Sequence, residues 1–132
     1  MTKQKFVLVW AIPEEGEQEA WIMVRHRERG WELPGGTILN GEEADEAALR
    51  ELLEEAGKIG VAKAIEENLI EGGSVVLIHI EEYPIPEPWK SHDDSIDEVG
   101  WCLMAPENTA WEKDEIEKIR SHDWSTSISL VS

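Results

Sequence analysis

Two uninterrupted apolar runs set the architecture this chain can adopt. Phe6-Val7-Leu8-Val9-Trp10-Ala11-Ile12 and Ser74-Val75-Val76-Leu77-Ile78-His79-Ile80 are rich in β-branched residues and almost free of charge. An alternating strand can leave one face in water, whereas a continuous run suits a strand buried on both faces. Pro13 stops the first run, and Glu14-Glu15-Gly16-Glu17 reads as a turn. Ala20 to Val24 then forms the return strand of a hairpin. Glu43 to Ala56 is the strongest helical stretch, with Ala44, Ala47, Ala48, Leu49, Leu52 and Leu53 at helical spacing and Gly57 as a left-handed cap. Strands are also expected at Ile59 to Ile65 and Val99 to Met104, a turn at Pro34-Gly35-Gly36, and a short helix at Asp114 to Ser121. Pro84 to Asp97 reads as a long irregular loop, and the tail from Trp124 onward is unassigned. The expectation is one α/β (α+β) layered domain over residues 1–132, with no internal repeat and no linker.

Composition excludes several functions. Twelve Lys+Arg face 29 Asp+Glu, a formal charge of −17. That argues against binding a nucleic-acid polymer, which needs a basic surface, and against an anionic membrane anchor. It leaves room for one small anionic ligand held through a metal. A single cysteine, Cys102, rules out an internal disulfide and a multi-cysteine zinc site. No apolar stretch approaches the ~20 residues of a membrane span, and no signal-peptide pattern is present, so a cytoplasmic protein is expected.

The chemistry is concentrated between Gly36 and Lys58. A glycine-rich turn leads through a loop into the helix, where Glu51, Glu54 and Glu55 stand at i, i+3 and i+4 on one face. Three neighbouring carboxylates repel one another, and the helix dipole disfavours anions in the last turn by roughly 0.3–1 kcal/mol each. A sequence selected only for helix stability would place lysines there. The arrangement makes sense when a divalent cation supplies the missing charge. Oxygen ligands without His or Cys point to Mg²⁺ or Mn²⁺, which share their remaining positions with water and phosphate. The alternative is an acidic face that only keeps the protein in solution.

The spacing goes further. Gly36, five residues, Glu42, seven residues, Arg50-Glu51-Leu52, Leu53, Glu54-Glu55, Ala56, Gly57 resembles the signature of the Nudix hydrolases, G-x5-E-x7-R-E-U-x-E-E-x-G-U, where U is a bulky aliphatic. Eight of nine specified positions match; Lys58 stands where the last aliphatic is usual. Trp31-Glu32-Leu33-Pro34-Gly35-Gly36 also resembles the family's approach to this box. The resemblance implies a Nudix-type α/β/α sandwich with a mixed sheet between helices. It implies metal ligation by Glu51, Glu54, Glu55 and the carbonyl of Gly35, with Arg50 orienting Glu51, Glu42 bracing the loop, and Gly36 and Gly57 serving backbone geometry. It implies hydrolysis of nucleoside diphosphates linked to another group. Either Glu51 or a later loop acid (Glu98, Asp97 or Asp94) takes the proton from water.

Substrate marks are sparse. Gly73 stands where relatives specific for ADP-ribose often carry proline, and Val75 and Val76 where dinucleoside polyphosphate hydrolases often carry tyrosine. By elimination the chain is most similar to the MutT-like group, which acts on (deoxy)nucleoside triphosphates and releases a monophosphate and pyrophosphate. Hydrolysis of ADP-ribose, nucleotide sugars or dinucleoside polyphosphates is the alternative, and a silent nucleotide-binding module of the same fold is a rival from another class. Among seven tryptophans, Trp10, Trp21 and Trp101 are expected in the core, Trp111 and Trp124 over the second helix, and Trp89 as a base-stacking surface. Arg25 and Arg27 are candidate phosphate contacts. The expected partner is a small nucleotide; a homodimer is one option for assembly.

Overall fold

The computed structural model describes residues 5–15, 19–110 and 113–131. The first apolar run is β1 (Phe6–Pro13) and the second is β6 (Gly73–Ile80); they lie side by side and parallel, Phe6 opposite Gly73 through Pro13 opposite Ile80. Around them, β4 (Gly35–Thr37), β5 (Val61–Ile70) and β8 (Ile128–Ser129) complete a five-stranded mixed sheet in the order β4-β1-β6-β5-β8. A second, three-stranded antiparallel sheet has the order β3-β2-β7, from β2 (Trp21–His26), β3 (Gly30–Glu32) and β7 (Ile96–Cys102). The sheet layer is thus split in two rather than continuous.

Both faces of β1 are covered, as a continuous apolar run demands. Val7, Val9 and Ala11 pack with Ala47, Ala48, Leu52 and Ala56 of α1 (Ala44–Ala56). Leu8 and Trp10 point the other way, into a cluster with Ile116 and Ile119 of α2 (Lys113–Arg120). Trp10 and Trp21 stack there with centroids 5.1 Å apart, and both are buried, as expected; Trp101 is half-buried against the α1 side. Trp124 covers the α2 cluster, whereas Trp111 lies outside the described residues, as does part of the turn expected after Pro13.

Several boundaries differ from the sequence expectation. The Pro34-Gly35-Gly36 turn is in part a strand, because β4 pairs antiparallel with β1; a Cβ on Gly35 would collide with the Val7 carbonyl oxygen. β5 runs to Ile70 rather than stopping at Ile65. Pairing with β6 carries its polar residues through two register shifts, up to the tight turn at Gly72 (φ +78°). β7 begins at Ile96, held by β2 on one side and by a bridge between Trp89 and Val99 on the other. The unassigned tail supplies β8, which pairs with Ala64 and Ile65. His122 fastens this tail, its Nε2 lying 2.7 Å from the Ser127 hydroxyl. Cys102 is a half-buried strand residue whose thiol burial pushes up to about 11. Among the described residues no helix is long and apolar enough to cross a membrane.

Candidate active site

The helix α1 starts and ends as its termini require. The Glu46 carboxylate accepts the Glu43 N–H at 3.0 Å, satisfying one orphan donor. Gly57 adopts φ +70° and donates its N–H to the Leu53 carbonyl at 3.0 Å. Between these ends, the packing of Ala48 and Leu52 on β1 turns the neighbouring Glu51 and Glu55 toward β4. Glu54 lies further round the helix, with 56% of its side chain exposed.

Arg50 organises the loop and two of these acids. Its Nε and Nη2 donate to Glu42 at 2.8 and 3.0 Å, its Nη1 to Glu51 at 2.7 Å and to Glu54 at 3.3 Å, and its Nη2 also to the Thr37 carbonyl at 3.1 Å. The fork on Glu42 holds that carboxyl down at about 2, helped by the Leu39 N–H. Gly36 is required by approach: a Cβ there would sit 2.6 Å from Glu51 Oε1.

Glu55 is buried and has no cationic partner among the described residues. It accepts the Gly35 N–H at 2.7 Å. Desolvation raises its pKa to about 8, and the negative charges of Glu51, Glu32 and Asp93 push in the same direction. Glu51 is also raised, first by burial, with Glu54 and Asp93 adding to it. Glu32 itself is buried and held by the Arg29 fork at 2.8 and 3.1 Å.

Glu32 lies in the stretch that resembles the approach to the box, whereas Asp93 carries no mark in the sequence. Asp93 lies in the irregular segment 81–95, where Ser95 donates its N–H at 2.9 Å and its hydroxyl at 2.7 Å, keeping Asp93 ionised below its ordinary range. It flanks a surface cleft with Glu54 and His92. The sequence points instead to Glu98, Asp97 and its neighbour Asp94, because register within a loop has no periodicity from which to read it.

The other candidates lie in different settings. Glu98 and Asp97 pair across the strands with Arg25 at 3.6 and 3.8 Å, and Arg27 meets Asp97 at 3.5 Å. Trp89 is not a free stacking surface: its indole N–H donates to the Ala56 carbonyl at 2.8 Å, and the Lys58 ammonium sits 4.7 Å from its ring centroid. This is also what the box's one departure does, since Lys58 reaches Glu82 at 2.8 Å as well.

Among the described residues no three His, Cys, Asp or Glu side chains form a preformed cage. Arg50 occupies oxygens of Glu51 and Glu54 instead. The donor set nevertheless fits a hard divalent cation: all oxygens, on one helix, around a buried carboxyl surrounded by acids.

A sequence profile of the NUDIX domain matches residues 3–124. The chain belongs to the NUDIX domain family. It is therefore a Nudix hydrolase of nucleoside diphosphate derivatives, a pyrophosphohydrolase by class. A Bacillus subtilis (strain 168) protein with the provisional name 8-oxo-dGTP diphosphatase YtkD is 32% identical over 108 residues, 80% of this chain and 67% of that protein. A second protein of that strain with the same provisional activity is 40% identical over 68 residues, 46% of this chain and 42% of its own length. Among solved structures, a mutant of the Bacillus subtilis pyrophosphohydrolase BsRppH superposes with a TM-score of 0.63 at 21% identity, over 92% of this chain and 84% of that one. A Nudix hydrolase from Nitrosomonas europaea gives a TM-score of 0.60 at 20% identity, over 89% and 71%. These superpositions support the mixed α+β Nudix fold.

Proposed function

We propose that this Nudix hydrolase cleaves (deoxy)nucleoside triphosphates, oxidised purine forms included, to a nucleoside monophosphate and pyrophosphate. The carrying observation is the placing of Glu51 and Glu55 against Gly35-Gly36 with Glu54 beside them on the same helix, and Arg50, already forked on Glu42, as their cationic partner among the described residues. The names of the two Bacillus relatives support the substrate class.

Glu51, Glu54 and Glu55 would hold Mg²⁺ or Mn²⁺, which when bound neutralises charge on the phosphate oxygens. Arg50 fixes the Glu51 carboxylate, and Gly36 leaves the space it occupies. Burial raises its proton affinity, which suits it to take a proton from the attacking water. As the water oxygen bonds to phosphorus, the anhydride P–O bond breaks and pyrophosphate leaves with the electron pair. Glu51 carries this role in preference to Glu98, which lies on β7 in the second sheet and not on the helix face with Glu54 and Glu55.

The test is hydrolysis of a panel of nucleoside triphosphates, ADP-ribose, nucleotide sugars and dinucleoside polyphosphates with Mg²⁺, Mn²⁺ or EDTA. Triphosphates are expected to give monophosphate and pyrophosphate, with the activity lost in EDTA. Preferred cleavage of another class would overturn the substrate assignment, and no cleavage of any would favour a binding module.

A pH dependence also follows. Glu55 keeps its proton up to about 8, so a cation must displace that proton to bind. Mn²⁺ affinity is expected to rise from pH 6 to 8, by up to about tenfold per unit. Isothermal titration at three pH values checks this; a flat affinity would remove Glu55 from the ligand set.

A further inference from the structure

We infer that Trp89 and Lys58 are positioning residues that clamp the segment carrying Asp93 against the end of α1, holding Asp93 on the cleft that Glu54 lines. The inference rests on the proposed metal-dependent function, and adds to it a device outside the carboxylate set.

The clamp has three parts. The Trp89 indole N–H donates to the Ala56 carbonyl, one of the orphan acceptors in the last turn of α1 and adjacent in sequence to Glu55. Trp89 and Val99 exchange both backbone hydrogen bonds at 2.9 Å, tying the same residue to β7. The Lys58 ammonium then lies over the ring and pairs with Glu82 at the start of the segment. A residue fixed to α1 and to β7 at once leaves the chain little freedom over the four positions to Asp93. There Ser91 accepts the Asp93 N–H at 3.0 Å, and Ser95 fixes the carboxylate. The result is a fixed acid that lines one cleft with Glu54, Leu53 and Gly57 at the end of α1.

Without the clamp, like charge would drive Asp93 away from Glu54 across that cleft. The Lys58 departure from the family's aliphatic therefore has a function: its stem packs and its charge secures the aromatic anchor. Held in place, Asp93 keeps a negative charge on the cleft beside Glu54, where it adds to the attraction for a cation.

A double-mutant cycle tests this, using the full chain and Mn²⁺ alone as probe, with free ion read by electron paramagnetic resonance. Trp89→Phe keeps an aromatic ring and removes the N–H donor; Asp93→Asn removes the charge. Trp89→Phe is expected to weaken Mn²⁺ binding about three- to tenfold, and Asp93→Asn about tenfold, with the double variant no weaker than Asp93→Asn alone. Lys58→Leu, which restores the aliphatic, is expected to show a smaller loss that also vanishes in the Asp93→Asn background. It carries the cycle if Trp89→Phe does not fold by circular dichroism. Equal penalties in both Asp93 backgrounds would mean a purely structural role and overturn the inference. No effect of Asp93→Asn would overturn it too, while leaving the Glu51, Glu54 and Glu55 reading to stand on its own tests.

Discussion

Glu55→Gln is expected to lower turnover by about a thousandfold or more while raising the melting temperature of the metal-free protein. The two effects have one origin. Glu55 is buried among acids, accepts a single backbone N–H, and holds its proton to about 8. A carboxyl whose folded pKa lies above its unfolded value stabilises the protein fully only below the unfolded value. That contribution is lost as pH rises from about 4.5 toward 8, because the unfolded chain ionises freely and the folded one cannot. Glutamine keeps the shape and an oxygen for the Gly35 N–H without the charge. At pH 7 a gain of about 1–3 kcal/mol is expected in calorimetry without metal, and the pH dependence of stability should flatten. Glu54→Gln is expected to lose turnover comparably without this gain, since Glu54 is more than half exposed. Activity within tenfold of wild type in both variants would sink the proposed metal site.

Arg50→Ala is expected to have the opposite sign on stability. Arg50 donates to Glu42, Glu51, Glu54 and the Thr37 carbonyl, and only 24% of its side chain is exposed. Removing it leaves Glu51, largely shielded from water, without its counter-charge, at a cost of about 2–4 kcal/mol. Turnover is expected to fall about a hundredfold because Glu51 loses its orientation, while Mn²⁺ still binds, since the freed carboxylates need a cation even more. Urea melts and Mn²⁺ titration separate the two effects. Unchanged kinetics in a destabilised protein would restrict Arg50 to a structural role.

Some elements are legible in the sequence for identifiable reasons. The apolar runs of β1 and β6 admit only strands covered on both faces, and α1 with Ala48 and Leu52 beneath and α2 with Ile116 and Ile119 above supply that cover. Gly57 announces the end of α1 because a left-handed cap favours glycine. β4 is not legible: Gly35-Gly36-Thr37 has little strand propensity and is a strand only because β1 lies alongside. The same holds for the polar half of β5 and for β8, both made by pairing rather than by local preference.

The candidate site divides along the same line. The types and spacing of Glu42, Arg50, Glu51, Glu54 and Glu55 are local facts of one loop and one helix, so the sequence by itself determined them, and with them the family and the character of the chemistry. Which of those acids is buried, which is exposed, and which loop acid joins them depends on contacts between distant segments. Glu55 is buried where its carboxylate accepts the Gly35 N–H of β4; Asp93 lines a cleft with Glu54, whereas Glu98 pairs with Arg25. Tryptophan at position 89 is equally consistent with a stacking surface and with an anchor when read alone. Only the tertiary structure decided between them, because the carbonyl that the indole binds lies thirty-three residues away in the chain.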